Sequence, residues 1–270
     1  MTSYQPLDWY DLPQYYDAVF TADTHLEADF LEHVLRVFGP RRPRRVLEPA
    51  CGSGRLMREM ARRGFDVTGF DANPQMIAYA RDRLDGLEGA WEIQVGRLEG
   101  FRFNRRYDTA HCFVSTFKYL LTEDDAVGHL HCVSDHLCPG GLYVLGLHLT
   151  EYGVSHRTRE RWVAPLPGGG RVVCNLQIWP ADQRKRVERV RSRLRVERGE
   201  SLHGYDTEWL FRTYDARQLA RLIRKEPAFE HVATYDFSYD PDCVRELDGE
   251  QLDVVLVLRK KRVREESRWR

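Results

Sequence analysis

Between Arg45 and Leu147 the spacing of apolar positions changes back and forth. Short runs rich in β-branched and aromatic residues at 45–48, 65–70, 90–95, 107–114 and 142–147 predict strands. The stretches between them, at 56–63, 74–84 and 123–137, carry apolar residues at helical spacing. Gly64 follows the first of these helices as a cap, and Pro74 sits in the first turn of the second. Pro139-Gly140-Gly141 is expected to end the third. An earlier helix over 24–38 puts Leu26, Phe30, Val34 and Val37 on one face and stops at Gly39 to Pro43. Strands and helices in this order imply a mainly parallel sheet covered on both faces, an α/β doubly wound layout.

After Thr150 the period becomes two. Residues 171–180, 186–198 and 205–214 alternate like antiparallel strands, separated by Pro180-Ala181-Asp182 and by Gly199 to Gly204. A helix over 215–224 and strands over 230–238 and 252–258 then resume the first pattern. The expected organisation is an N-terminal arm or lid (1–23), a core (24–150), and an antiparallel β insertion forming a substrate or dimer arm (151–213). The end of the core (214–259) and a charged tail (260–270) complete it.

Composition narrows the function. With 41 Lys+Arg against 41 Asp+Glu in 270 residues, no net field favours nucleic acid or an anionic membrane. No apolar stretch approaches the roughly 18 residues of a membrane helix. The opening MTSYQPLDWY lacks the pattern of a signal peptide. The six cysteines form no C-x-x-C pair, which fits reduced thiols in a cytoplasmic protein.

The informative segment is Val46 to Leu56, VLEPACGSGRL. A strand ends at Glu48, and Gly52 and Gly54 occupy the turn before a helix. Glycines there permit positive φ and let a ligand approach the backbone, beside the free N–H groups of the helix start. Met57 stands where a dinucleotide fingerprint has its third glycine, which disfavours a nicotinamide or flavin oxidoreductase. The second segment, VTGFDANPQM, closes its strand with Asp71, 17 positions after Gly54. A carboxylate at that place can accept both ribose hydroxyls of an adenosine ligand; it can also be a plain helix-capping group.

Together these segments resemble the class I S-adenosylmethionine-dependent methyltransferases. Glu48, Ala50, Cys51, Gly52 and Gly54 fit that family's first motif and Asp71 its second; Cys138-Pro139-Gly140-Gly141-Leu142-Tyr143 fits its late turn. The resemblance covers residues 24–150 and 215–259. It implies a seven-stranded Rossmann-like sheet, S-adenosylmethionine as cofactor, and methyl transfer to a small-molecule N or O acceptor. Where the family often has an acid after its third strand, this chain has Arg97. The adenine is then expected to rely on backbone near Leu98 and on packing by Ala72 and Met76, and backbone near Phe113 to hold the methionine amino group. Tyr15 and Tyr16 fall where the family often has a lid, and aromatic faces attract a sulfonium; ordinary helix packing is the alternative. Tyr16 and His148 are the candidate catalytic residues, His148 as a base, with a polar pocket wall as the other reading. The segment Phe211-Arg212-Thr213-Tyr214-Asp215 loosely resembles one in small-molecule and amino-sugar N-methyltransferases, whose arm shapes the acceptor pocket or a dimer interface.

Three other patterns were weighed. His129, Cys132 and His136 share a helical face as metal ligands would, but they sit beside the buried Leu130, Val133 and Leu137, and no metal is expected. Arg189, Arg191, Arg193 and Arg195 share one strand face, for nucleic acid or an anionic substrate on one reading and a solvated, acid-balanced face on the other. Tyr205, Thr207, Trp209 and Phe211 form a row expected to pack the arm or a subunit interface. A nucleic-acid methyltransferase and a non-catalytic cofactor-binding module are the rival functions.

Overall fold

The computed structural model describes residues 3–262, so the tail beyond Arg262 lies outside the described residues. Two sheets share the chain. The main sheet has seven strands: β2 (Arg45–Pro49), β3 (Asp66–Asp71), β4 (Trp91–Val95), β5 (Tyr107–Cys112), β6 (Leu137–His148), β11 (Phe229–Tyr235) and β12 (Asp253–Lys260). Their spatial order is β11-β12-β6-β5-β2-β3-β4. Six of the seven strands point the same way, and β12 alone is reversed, pairing antiparallel with both β6 and β11. This is the doubly wound, mostly parallel class expected from the alternation.

The strands are apolar on both faces, as a sheet covered on both sides requires. Successive residues of β6 and β12 divide between two cores. Tyr143, Leu145, Val254 and Leu256 pack toward α5 (Glu123–His136) and α6 (Ala216–Ile223). Leu142, Val144, Val255 and Val257 pack toward α2 (Thr24–Phe38), α3 (Arg55–Arg62) and α4 (Pro74–Leu84). Asn73 caps α4, its side chain accepting from the backbone of Gln75 at 2.8 Å and Met76 at 3.0 Å. Asp215 and Gln218 form a capping box on α6. Among the described residues no helix is long and apolar enough to cross a membrane.

The second sheet is the arm: β7 (Thr158–Pro165), β8 (Arg171–Ile178), β9 (Val187–Arg198) and β10 (Ser201–Arg212), all antiparallel, with β1 (Tyr4–Pro6) added in parallel on β10. One face carries Val172, Cys174, Val190 and Leu194; the N-terminal segment, including α1 (Pro13–Phe20), lies over it. Trp9 stacks on Trp209 with ring centroids 5.2 Å apart, and its backbone N–H donates to Thr207 Oγ1 at 3.1 Å. The aromatic row of β10 therefore receives the chain's own N-terminus.

Four expectations need correction. Strands β1 and β7 were not anticipated. The turn between β9 and β10 is only Gly199-Glu200, so β10 begins at Ser201. Helix α5 does not end at Pro139-Gly140-Gly141 but passes straight into β6, whose first residue pairs with Tyr107. Those three residues mark a register shift inside the strand. Finally, Leu26 and Val37 of α2 are exposed; the buried face runs through Glu27, Phe30, Leu31, Val34 and Leu35. The face is turned by Glu27, which is drawn inward by the Arg55 guanidinium in a two-pronged contact at 2.5 and 2.8 Å.

Candidate functional site

The C-terminal ends of β2, β3 and β4 open into a cleft of about 480 Å³. Its floor is the turn after β2. Ala50, Gly52 and Gly54 all have positive φ there (54°, 52° and 68°). A side chain built on Gly52 would meet only the Tyr16 ring within 4 Å, so the backbone faces open space. Asp71 stands opposite. Its carboxylate accepts from Gly52 N–H at 3.0 Å and from Asn73 N–H at 2.8 Å, which leaves each oxygen a further lone pair toward the cleft. Burial pushes its pKa up, and the backbone donors of Asn73 and Gly52 pull it back.

The N-terminal segment roofs this cleft. Asp17 of α1 accepts from Ser53 Oγ at 2.7 Å and pairs with Arg83 of α4. Asn73 donates to Asp11 at 2.8 Å. The hydroxyls of Tyr10 and Tyr119 meet at 2.6 Å, and Tyr10, Tyr16 and Tyr119 all line the cleft. Burial pushes all three phenols far above their ordinary pKa, so they are neutral at physiological pH.

Of the residues singled out in the sequence, Ala50, Gly52, Asp71, Ala72, Arg97, Leu98 and Tyr16 line this one cleft. The others do not. Gly54 serves helix packing: a Cβ there would lie 2.9 Å from that of Ala80. Met76 is fully buried in α4. Phe113 stacks on His111 with centroids 5.4 Å apart. Tyr15 turns the other way from Tyr16, as neighbours on a helix must, and stacks on Tyr205 of the arm. Arg97 is exposed at the rim and pairs with Glu99, which brings a carboxylate to the wall two residues beyond the expected place.

Glu48 lies just beneath the turn. Its Oε2 is buried without a hydrogen-bond partner, as is Nε2 of His111 on β5, 3.8 Å away. Burial pushes Glu48 up to about 8, with Arg55 opposing, and His111 down to about 3. Two unpaired polar atoms this close together in the interior are costly, and their place beneath the glycine turn makes them candidates for contact with a ligand.

A second cavity of about 250 Å³ lies farther along the same sheet edge, between the ends of β5 and β6 and the arm. His148 lines this cavity, not the first. Its Nδ1 pairs with Asp253, directly across from it on β12. The wall between the cavities is a single 3-10 turn, Thr116–Tyr119: Thr116 and Tyr119 face the cleft, Ser115 and Lys118 the second cavity. The turn is entered through Val114 and Ser115, both at positive φ (55° and 63°), which is strained for a β-branched valine.

The remaining patterns are structural. His129 donates from Nδ1 to Leu98 O and accepts at Nε2 from Tyr143; His136 donates to Cys132 O and accepts from Phe103 N–H. Both nitrogens of each ring are committed. The arginine row is matched by acids on β10 and on β9 itself: Arg189 by Glu208, Arg191 and Arg193 by Asp206, and Arg195 by Glu197 two residues along its own strand. Arg212 is nearly buried and donates to Leu121 O at 2.7 Å, tying the end of β10 to the segment after the wall.

Sequence reasoning did not pick out Asp11, Asn73, Tyr10, Tyr119, Glu99 or Asp253 as site residues. The Asn-Pro pair opening α4 was a signal for Asn73. Nothing local marks Asp253, whose place depends on the register of β12.

Residues 46–141 match a family described as "Methyltransferase domain". A putative methyltransferase, YqeM, of Bacillus subtilis is 27% identical over 104 residues, 38% of this chain and 42% of that protein. The dTDP-3-amino-3,4,6-trideoxy-alpha-D-glucopyranose N,N-dimethyltransferase of Streptomyces venezuelae is 26% identical over 100 residues, 37% of this chain and 40% of that protein. In both cases the chain spans less than half of the relative's length. The solved structure of CalS10 with S-adenosylmethionine bound, an amino pentose methyltransferase of Micromonospora echinaspora, superposes with a TM-score of 0.68 at 18% identity. That superposition covers 96% of this chain and 100% of CalS10, so the arm belongs to the shared fold as well as the core.

Proposed function

We propose that the chain, whose residues 46–141 match a methyltransferase-domain family, is a class I S-adenosylmethionine-dependent methyltransferase that moves a methyl group from S-adenosylmethionine to a small-molecule N or O acceptor. The observation that carries this reading is the meeting of Gly52 and Asp71, from two different strand ends, across one cleft.

The residues present fit the cofactor. Asp71 has free lone pairs for a ribose diol, the backbone at Gly52 is bare, and Glu48 keeps an orphaned oxygen suited to an ammonium. Ala72 and Leu98 flank the place for the adenine, with Glu99 at its rim. The bound donor supplies a methyl already activated by its sulfonium. The chain's own work is alignment and exclusion of water. Tyr10, Tyr16 and Tyr119 put neutral aromatic faces over the cleft, which favours a sulfonium without a competing charge. Asp17, holding Ser53 and Arg83, keeps that roof down.

The amino-sugar and amino-pentose acceptors printed for the Streptomyces venezuelae relative and for CalS10, whose fold this chain shares along nearly its whole length, support an amino sugar. The reading includes a cytoplasmic location, in keeping with six unpaired cysteines. It also includes a homodimer through the arm, where Val163, Leu202 and Leu210 are exposed. Titration calorimetry with S-adenosylmethionine, then transfer of labelled methyl to a dTDP-linked 3-amino sugar, tests the function. Binding followed by transfer is expected; absence of binding ends the reading.

A further inference from the structure

We propose that the cavity between the arm and the main sheet is the acceptor site, and that it takes an amine whose proton passes to His148. This rests on the methyl-transfer reading above and narrows its acceptor from N or O to N.

Position comes first. The cofactor cleft occupies the ends of β4, β3 and β2, and the second cavity occupies the ends of β5 and β6. One helical turn divides them, so the reactants share one sheet edge, and direct transfer requires this turn to shift and bring the acceptor nitrogen into line with the methyl carbon. The strain at Val114 and Ser115 is where the backbone makes that partition.

The chemistry of the lining follows. Asp253 accepts from Nδ1 of His148, which fixes the ring tautomer and leaves Nε2 as an acceptor. The imidazole is half-exposed and held edge-on to Phe237, with centroids 4.8 Å apart. Among the described residues Lys118 is the one ammonium on the lining, and it is already paired. It donates to Glu188 at 2.7 Å and to His148 O at 3.3 Å. Two guanidiniums, Arg157 and Arg189, lie over the ring of Trp179, which lines the cavity, 5.5 and 3.8 Å from its centroid. Glu151 and Glu160 remain on the lining as surplus carboxylates. Thr150 Oγ1, also on the lining, is buried without a partner. The balance is negative, so the end of the acceptor that enters carries the protonated amine, and an anionic group such as a nucleotide diphosphate stays outside the cavity.

The step balances without a further reagent. The acceptor's ammonium gives one proton to His148 Nε2. The freed nitrogen lone pair forms the new C–N bond as the S–C bond breaks, and that bond's electron pair stays on sulfur. The product leaves as a methylammonium with S-adenosylhomocysteine. His148 is the catalytic residue here, and Asp253 is a positioning residue acting through it.

The test uses the full chain, the dTDP-linked 3-amino sugar, and catechol as an oxygen acceptor. His148→Gln is expected to lower turnover about 100-fold while leaving S-adenosylmethionine affinity and the melting temperature unchanged. Asp253→Asn is expected to lower it about tenfold, with Asp253→Glu restoring most of the loss, a rescue that a packing role would not give. Catechol is not methylated. Turnover within twofold of wild type in His148→Gln, or catechol methylated as well as the amine, overturns the proposal. Should the cofactor bind and no probe be methylated, the function reading fails. The cavity is then tested alone, by titrating the amino sugar into the S-adenosylhomocysteine complex and following tryptophan fluorescence in wild type and Trp179→Phe. A wild-type signal that disappears in Trp179→Phe supports the amine site; no signal in either overturns it.

Discussion

Two sets of acids in this molecule are displaced from their ordinary pKa in opposite directions. Glu48 and Asp71, at the strand ends of the core, are pushed up, first of all by burial. Asp206 and Glu197, on the arm, are pulled down, first of all by hydrogen bonds from Arg191 and Arg171. The core acids are isolated from cations they could pair with directly; the arm acids sit in a lattice of arginines. A carboxylate kept in the interior without its own cation costs stability, and the fold tolerates that where a ligand will repay it. A carboxylate lowered by a neighbouring guanidinium on a wet surface is a sheet face satisfying itself. The contrast supports reading the arginine row as structure and the strand ends as the proposed site.

The comparison breaks most readily at Glu48. Its folded pKa of about 8 lies above the ordinary value of 4.5, so the native state holds a proton that the unfolded chain releases. Stability is therefore lost as pH rises from about 4.5 to about 8, by up to roughly 5 kcal/mol. Glu48→Gln keeps the shape and removes the titration. Denaturant melts at pH 9 should show the variant more stable than wild type by several kcal/mol, with the gap closing below pH 5. Equal stability at pH 9 would mean that Glu48 already has a partner in solution.

Asp71 gives the next effect. On the proposed role, Asp71→Ala removes the acceptor for two ribose hydroxyls; it also leaves the Gly52 and Asn73 N–H groups unpaired. Each charge-assisted hydrogen bond is worth about 1.5–3 kcal/mol, so calorimetry should show S-adenosylmethionine affinity falling by about 100-fold. Affinity within threefold of wild type would make Asp71 merely the brace of the glycine turn.

On the arm the same kind of change should matter little. Asp206→Asn removes the partner of Arg191 and Arg193 on a partly exposed face. A loss of about 0.5–1 kcal/mol is expected, shrinking in molar salt. Because Asp206 is lowered, its contribution is present above the ordinary aspartate pKa and fades as pH falls below it. A loss above about 2 kcal/mol, insensitive to salt, would place Asp206 with the core acids instead.

How much of this could be read beforehand depends on what a feature is made of. The cofactor cleft is mostly backbone, and backbone demands leave local marks: Gly52 for a positive φ, Asp71 at a strand end, Asn73 before Pro74. The second cavity is made of side chains from segments far apart in the chain. Asp253 faces His148 because β12 pairs with β6 in one register and not the next, and no local pattern carries that information. Tyr15 and Tyr16 were equivalent in sequence, and the helix direction of α1 sent one to the arm and the other to the cleft. Strand β1 is only three residues, too short for any period to show. Strand β7 lies at the arm's edge with six of its eight residues exposed, most of them charged or polar, so its alternation is masked by charge. The glycines after α5 were read as a stop, when the stop is supplied by Leu137 joining the sheet.

The smallest effect is the sharpest test of the arginine row. Arg193 is the most loosely held of the two guanidiniums on Asp206: its Nε is 3.3 Å from the carboxylate, and it lies over the Tyr4 ring at 5.0 Å. Arg191 keeps Asp206 paired when Arg193 is lost. Arg193→Ala is therefore expected to cost less than about 0.5 kcal/mol, a shift of about 1–2 °C in melting temperature for a chain of this size. If the row is a self-neutralised sheet face, neither wild type nor variant should hold single-stranded RNA at physiological salt. RNA binding that is steeply salt-dependent in wild type and weakened in Arg193→Ala would turn the row into a phosphate-reading surface. The distinction between acids that serve a ligand and acids that serve the sheet would then have to be drawn elsewhere.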